Sequence, residues 1–227
     1  MKIVMDPIRD MKVSEMKREL EERKSFEQAV DRVIEKSAPV QAKDGIVLPL
    51  RLFPDDCLKQ KCRPVEKFDK GLRELVANMS LTMYLTGGIG LAAPQIGQSI
   101  RVFVCDLRAY AKGSPSAFRV FVNPEITAHD GNDEMLVEGC LSFPSLTEKI
   151  ARPDKVHIRY QDERGKHHEQ EATGMLARVV QHENDHLDGI LMIDRMGRLQ
   201  RRMALKRLHK RLGKSISRDI KSGKWRR

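Results

Sequence analysis

At 227 residues with 40% hydrophobic, 33% charged and only 5% aromatic content, the chain can fill one core built on Leu, Ile, Val and Met, or at most two small domains. No run approaches the roughly 18 uncharged apolar residues of a membrane span. The first thirty residues lack an apolar stretch with a cleavage-type flank, and residues 1–46 balance ten basic against ten acidic side chains, so neither a secretory signal nor an acid-poor transit peptide is expected.

A soluble, cytoplasmic protein with no membrane contact follows as the expectation. The net charge of +10 belongs to residues 195–227, where fourteen Lys or Arg face one acid, Asp219, while the rest of the chain stands at −3. The four cysteines, Cys57, Cys62, Cys105 and Cys140, form no CxxC pair, which argues against a disulfide framework. The first three read as small buried or half-buried hydrophobes.

Along the chain, Val13, Met16 and Leu20, then Phe26, Val30 and Val33, recur at helical spacing, which predicts an N-terminal helix or helical pair. Lys43–Gly45 reads as a linker, and Ile46–Phe53 as strand-like until Pro54. Asp69 is a candidate N-cap for a helix whose Leu72, Leu75, Val76, Met79 and Met83 form one apolar face, ending at Gly87-Gly88. Strands are expected over Arg101–Leu107, Phe118–Asn123 and Lys155–Tyr160, the last returning through 167–172 after a turn at Asp162–Gly165. A second long helix opens after Thr173 and stops near Asp188, where Gly189 follows.

This second helix carries His182-Glu183-Asn184-Asp185-His186. An HExxH pattern sets two imidazoles on one face, four residues apart, where both can grip one metal ion, and Glu183 lies beside them to take a proton from an attacking water. The bland alternative is two incidental histidines on a charged helix. Against it, Met175, Leu176, Val179 and Val180 precede the motif, so the polar groups fall where burial is expected and need partners. A catalytic site needs a third protein ligand and an open position. No glutamate follows Glu183, and Met192 stands where the longer HExxHxxGxxH pattern requires histidine, so the ligand must lie upstream. His129, His157, His167, His168 and the cysteines are all candidates, with Cys140 set apart by the adjacent Gly139, which lets the backbone approach.

Three segments together resemble the peptide deformylase signature: Gly88-Ile89-Gly90-Leu91-Ala92-Ala93-Pro94-Gln95, Glu138-Gly139-Cys140-Leu141-Ser142 and Gln181-His182-Glu183-Asn184-Asp185-His186-Leu187. The resemblance runs from about residue 48 to 210, including Pro54-Asp55 and Arg63-Pro64-Val65. It implies that Cys140, His182 and His186 hold the metal, that Glu183 is general base and then acid, and that the Gln95 amide and the Leu141 N–H bind the oxyanion. It also implies ferrous iron, where ligand type alone reads as zinc; zinc or nickel would substitute. The implied substrate is the N-formylmethionine end of new polypeptides. Gly90 would let the peptide lie alongside as an added strand, while Ile89, Met175 and Val179 would line the methionine pocket. Some bacterial members carry Arg seven residues after the metal cysteine, where this chain has Thr147, which bears on contacts beyond the first residue.

The expected fold is α+β, with mostly antiparallel β-sheets packed around a central HExxH-bearing helix, a C-terminal basic helix and an N-terminal helical extension. Three parts follow: 1–45 as the extension, without an assigned role, 46–194 as the catalytic domain, and 195–227 as a basic tail. In the tail, Leu199, Met203, Leu205, Leu208 and Leu212 among arginines and lysines predict an amphipathic helix suited to a polyanion such as ribosomal RNA. Rival readings are an HExxH metallopeptidase, separable by comparing a formylated with an unformylated peptide, and a nucleic-acid- or ribosome-binding protein with a structural metal, which would need a fourth protein ligand.

Overall fold

The structure, a computed structural model, describes residues 46–107 and 118–212, with side chains through residue 208. The expected N-terminal helix, the Lys43–Gly45 linker and the end of the basic tail lie outside the described residues.

Residues 46–53 do not form the expected strand. They run as an extended strap whose backbone donors find scattered acceptors: Ile46 N–H meets Asn78 Oδ1 and Leu48 N–H meets Thr82 Oγ1, while Arg51 and Phe53 donate to the carbonyls of Gln95 and Ser142. With backbone donors satisfied this way there is no ladder to join.

Helix α1, Lys70–Leu85, starts where expected because the Asp69 side chain accepts from Leu72 N–H at 3.1 Å. Its Leu72, Val76, Met79 and Met83 are buried against Leu91, Val102, Val104 and Val122. After it, β1 (Gly90–Ala92), β2 (Val102–Asp106), β3 (Phe118–Gly139), β4 (Thr147–Gln161) and β5 (His167–Thr173) pair antiparallel in chain order. The β4–β5 turn forms as expected, with Asp162 Oδ1 accepting from Arg164 and Lys166 N–H and Gly165 at φ 86°. Strands β3 and β4 extend well beyond their expected lengths. Register shifts after Val122, Ile126 and Asp130 absorb Pro124 and the polar run that follows, so no clean alternation marked this stretch in advance.

Helix α2, Gly174–Leu187, follows β5 directly and is buried from Ala177 to Leu187. Val179, Val180 and Leu187 join Phe103, Phe121, Val156 and Ile158 in the core between helix and sheet. Helix α3, Arg198–Leu212, lies over a third cluster through Ala204 and Leu208. Its Leu199 and Met203 are exposed, so the apolar face is narrower than the leucine pattern suggested.

The α+β class stands, with one central sheet and flanking helices. The expected description of that fold needs correction in two respects. There is a single five-stranded sheet among the described residues rather than several. And the group able to hold a metal is Cys140, His182 and His186, not an HExxH motif: α2 supplies only two of the donors, and the third comes from the β3–β4 connection.

Candidate metal centre

Strand β3 ends at Gly139, and the chain turns at once, Phe143 N–H donating to Cys140 C=O at 2.9 Å. This turn delivers the Cys140 thiol to α2, where His182 and His186 stand one helical turn apart. The donor atoms of the three lie within 4.8 Å of one another, and all three residues are buried. Cys140 Sγ is 3.3 Å from His186 Nε2.

Each imidazole keeps one nitrogen unsatisfied, His182 Nε2 and His186 Nδ1 being buried without a hydrogen-bond partner. Such atoms cost about 1–3 kcal/mol each when left so, and a thiolate with two imidazoles is a donor set that transition metals take. The residues therefore fit a metal ion. The other nitrogen of His182, Nδ1, lies 2.8 Å from Glu138 Oε2. Burial lowers the pKa of His182, but the nearby Cys140 sulfur and the hydrogen-bonded, charged Glu138 raise it to about 9. Burial, joined by the charge of His182, holds His186 well below the ordinary histidine value.

Glu138 is itself enclosed by cations. Arg152 donates to both its oxygens, at 2.7 and 3.1 Å, and Arg178 to Oε1 at 3.0 Å. Burial would raise its pKa, yet the hydrogen bond from His182 and the charge of Arg152 outweigh that and hold the carboxyl far below the usual range. Arg152 also donates to Asp185 Oδ2 at 2.7 Å. Sequence reasoning missed this group: Glu138 and Asp185 were seen only as parts of motifs, and Arg152 and Arg178 not at all. The available signal was Arg178 inside the apolar run 176–180.

Glu183 is fully buried beside the ligands. Gly90 on β1 meets it so closely that an added Cβ would lie 2.3 Å from Glu183 Oε1; only glycine leaves that room. After β1, Gln95 folds back, its Oε1 accepting from Ala92 N–H at 2.9 Å while Nε2 stands 3.4 Å from Cys140 Sγ and 3.3 Å from Ser142 Oγ. Leu141 is buried next to the thiol, packed near Leu91. Ile89, Met175 and Val179 share one apolar cluster, Val179 fully buried and the other two partly. Thr147 opens β4 opposite Gly139. His129, His157, His167 and His168, the other candidate ligands, are not in the cluster. The remaining cysteines behave as expected of small hydrophobes: burial pushes the Cys62 thiol up to about 11 and, with Asp55 and Glu183 adding respectively, Cys57 and Cys105 to about 12.

A cavity of about 860 Å3 lies elsewhere, bordered by Arg101, His129, Arg152, Gln181, Asn184 and Asp185 among others. At 100° per residue, positions 181, 184, 185 and 188 lie across α2 from 182, 183 and 186. The space is thus behind the face of α2 that carries His182 and His186, not in front of it.

A buried Cys-His-His cluster with a carboxylate beside it, held between an antiparallel sheet and a helix, defines a metal-dependent hydrolase. Comparison with known proteins narrows this. The family model described as polypeptide deformylase matches residues 47–202. A peptide deformylase of Chlorobium limicola is 45% identical over 166 residues, covering 72% of this chain and 88% of its own. The crystal structure of a peptide deformylase from Legionella pneumophila superposes with a TM-score of 0.67 at 38% identity, over 74% of this chain and 96% of that one. One from Synechococcus elongatus, in complex with actinonin, gives 0.66 at 40%, over 70% and 86%. The chain belongs to the peptide deformylase family. Its activity is that of the family: metal-dependent removal of the N-formyl group from N-terminal formylmethionine of newly made polypeptides, with release of formate. The metallopeptidase and nucleic-acid-binding alternatives fall away as descriptions of the reaction.

Proposed function

We propose that Cys140, His182 and His186 are the metal ligands, that the native ion is ferrous iron with zinc or nickel able to substitute, and that Glu183, Gln95 and Leu141 carry the catalytic steps. The observation that supports this most is the convergence of the three buried donor atoms within 4.8 Å beside a buried carboxylate and the Gln95 amide. When bound, the ion supplies Lewis acidity, lowering the pKa of water and polarising the formyl oxygen.

Glu183 takes a proton from the water that attacks the formyl carbon. As the carbonyl becomes an oxyanion, Gln95 Nε2 and the Leu141 N–H donate to it, each worth roughly 3–4 kcal/mol in comparable sites. Glu183 then gives the proton to the departing amine as the C–N bond breaks, and formate leaves. Strand β1 is the edge of the sheet, so the peptide backbone can add beside Gly90, and Ile89, Met175 and Val179 receive the methionine side chain. Thr147 in place of arginine weakens contacts beyond that residue.

The decisive experiment is anaerobic purification with metal analysis, followed by formate release from formyl-Met-Ala-Ser. One equivalent of iron is expected, lost in Cys140→Ala, whereas Glu183→Gln keeps the metal and loses turnover. Near-normal rate in Glu183→Gln, or full iron in Cys140→Ala, contradicts the assignment.

Residues 46–194 would form the catalytic unit and residues 195–227 a ribosome-docking tail in the cytoplasm, with 1–45 as an added segment. In support, Arg198, Arg202 and Lys206 are exposed on α3, and none of the helices described is long and apolar enough to cross a membrane. Cosedimentation with ribosomes should weaken steeply with salt; salt-insensitive binding, or none, speaks against docking.

A further inference from the structure

The steps above use no atom of Arg152, Arg178 or Asp185, yet these groups are buried in the centre of the molecule, Arg152 at 3% and Arg178 at 2% exposure. Buried ion pairs are often no more stabilising than apolar residues of similar volume, so stability alone does not account for them. Their geometry suggests another purpose. Glu138 Oε1 accepts from Arg152 Nε and Arg178 Nη1, and Oε2 from Arg152 Nη2, which fixes the carboxylate plane. Arg152 is braced in turn by Asp185 Oδ2, and Arg195 donates to both Asp185 oxygens. A carboxylate held at so many points offers His182 Nδ1 a single acceptor position at 2.8 Å, leaving Nε2 as its unsatisfied nitrogen.

We propose that Arg152 and Asp185 are positioning residues for deformylation: acting through Glu138, they lock the ring plane and Nδ1–H tautomer of His182 so that Nε2 is presented to the ligand cluster. The inference rests on the ligand assignment made above. Carboxylate partners of metal-bound histidine tune affinity in this way, typically by 10–100-fold. Here the partner is not free to turn, because the arginine fork that clamps it is anchored from the far side of α2. Both Arg152 and Asp185 border the cavity of about 860 Å3 there, so shortening or neutralising either opens onto that space rather than onto a sealed void.

The test uses the full chain loaded with Co2+, whose visible bands report ligand geometry and whose thiolate charge-transfer band reports Cys140. Wild type should bind one equivalent and show that band, and Cys140→Ala should not; if the band is absent from wild type or persists in Cys140→Ala, the ligand assignment and this inference fall together. With the band in place, Asp185→Asn and Arg152→Met should release Co2+ to a chelator about 10–100-fold faster and shift the visible bands. They should lower kcat with KM for formyl-Met-Ala-Ser within about twofold, since neither touches substrate. Arg152→Lys, which keeps charge but not the planar fork, should recover part of the loss. If Arg152→Met fails to fold, the double variant Glu138→Gln/Arg152→Met, which removes both charges, answers the same question. It should regain the wild-type melting temperature yet keep the fast Co2+ release. Wild-type release rates and bands in Asp185→Asn, or a double variant that restores metal retention together with stability, would overturn the proposal.

Discussion

Gly90 shows how little slack the site has. The Glu183 carboxylate occupies the position its side chain would take, 2.3 Å from an added Cβ, so Gly90→Ala must displace either the strand or the Glu183 carboxylate. A loss of at least about tenfold in kcat is expected, with a stability cost of about 1–3 kcal/mol from overpacking, measured by formate release and urea unfolding. Unchanged kcat would mean that Glu183 tolerates another rotamer. At this scale the sequence was partly legible. His182, His186 and Glu183 follow from helical spacing, because the chemistry lies within one turn. Cys140 was only one of several candidates until the resemblance singled it out, since no local pattern records a contact between residues 42 positions apart. The partners of Glu138 were invisible for the same reason: Arg152 and Arg178 meet it from β4 and α2.

Among the elements, α1 and α3 are bound to the molecule in different ways, and substitutions should separate them. Asp69→Ala removes the cap of α1 and should cost about 1 kcal/mol, with kcat and KM unchanged, because the helix touches the site only through packing. Leu208 anchors α3 in the cluster with Phe53, Phe143 and Met192, and Leu208→Ala should cost about 2–5 kcal/mol. Chemical denaturation of each variant provides the check; a neutral Leu208→Ala would show that α3 is held by its ion pairs, such as Arg207 with Glu148, rather than by burial. The helices and the β4–β5 hairpin were legible because caps, glycines and periodicity agree at their ends. The extents of β3 and β4 were not: with most of Glu125–Val137 half-buried or exposed, neither face of the strand carries the apolar alternation that reveals a strand.

For the molecule as a whole, the depressed pKa of Glu138 fixes the direction of acid sensitivity. A carboxyl whose folded pKa lies below its unfolded value near about 4.3 contributes stability that is fully present above that value and is lost as pH falls through the folded one. Urea unfolding from pH 8 to pH 3 should therefore show wild type more stable than Glu138→Gln by a constant margin at neutral pH, the two curves converging only at the acidic end. Convergence already near pH 6 would mean that another group, not this carboxylate, governs the response.

The strictly consecutive pairing of the five strands bears on how the enzyme is made. Each strand can zip onto the one synthesised just before it, and α2 follows β5 directly onto a finished sheet, without waiting for a distant segment to return. The thiol and the imidazoles are thus gathered by ordinary chain collapse, with arginines rather than a metal ion neutralising Glu138. Biogenesis should then proceed without metal, and the ion should enter a preformed chamber as the last event of maturation, so that metal-starved cells accumulate folded, idle enzyme that awakens on metal addition without fresh translation.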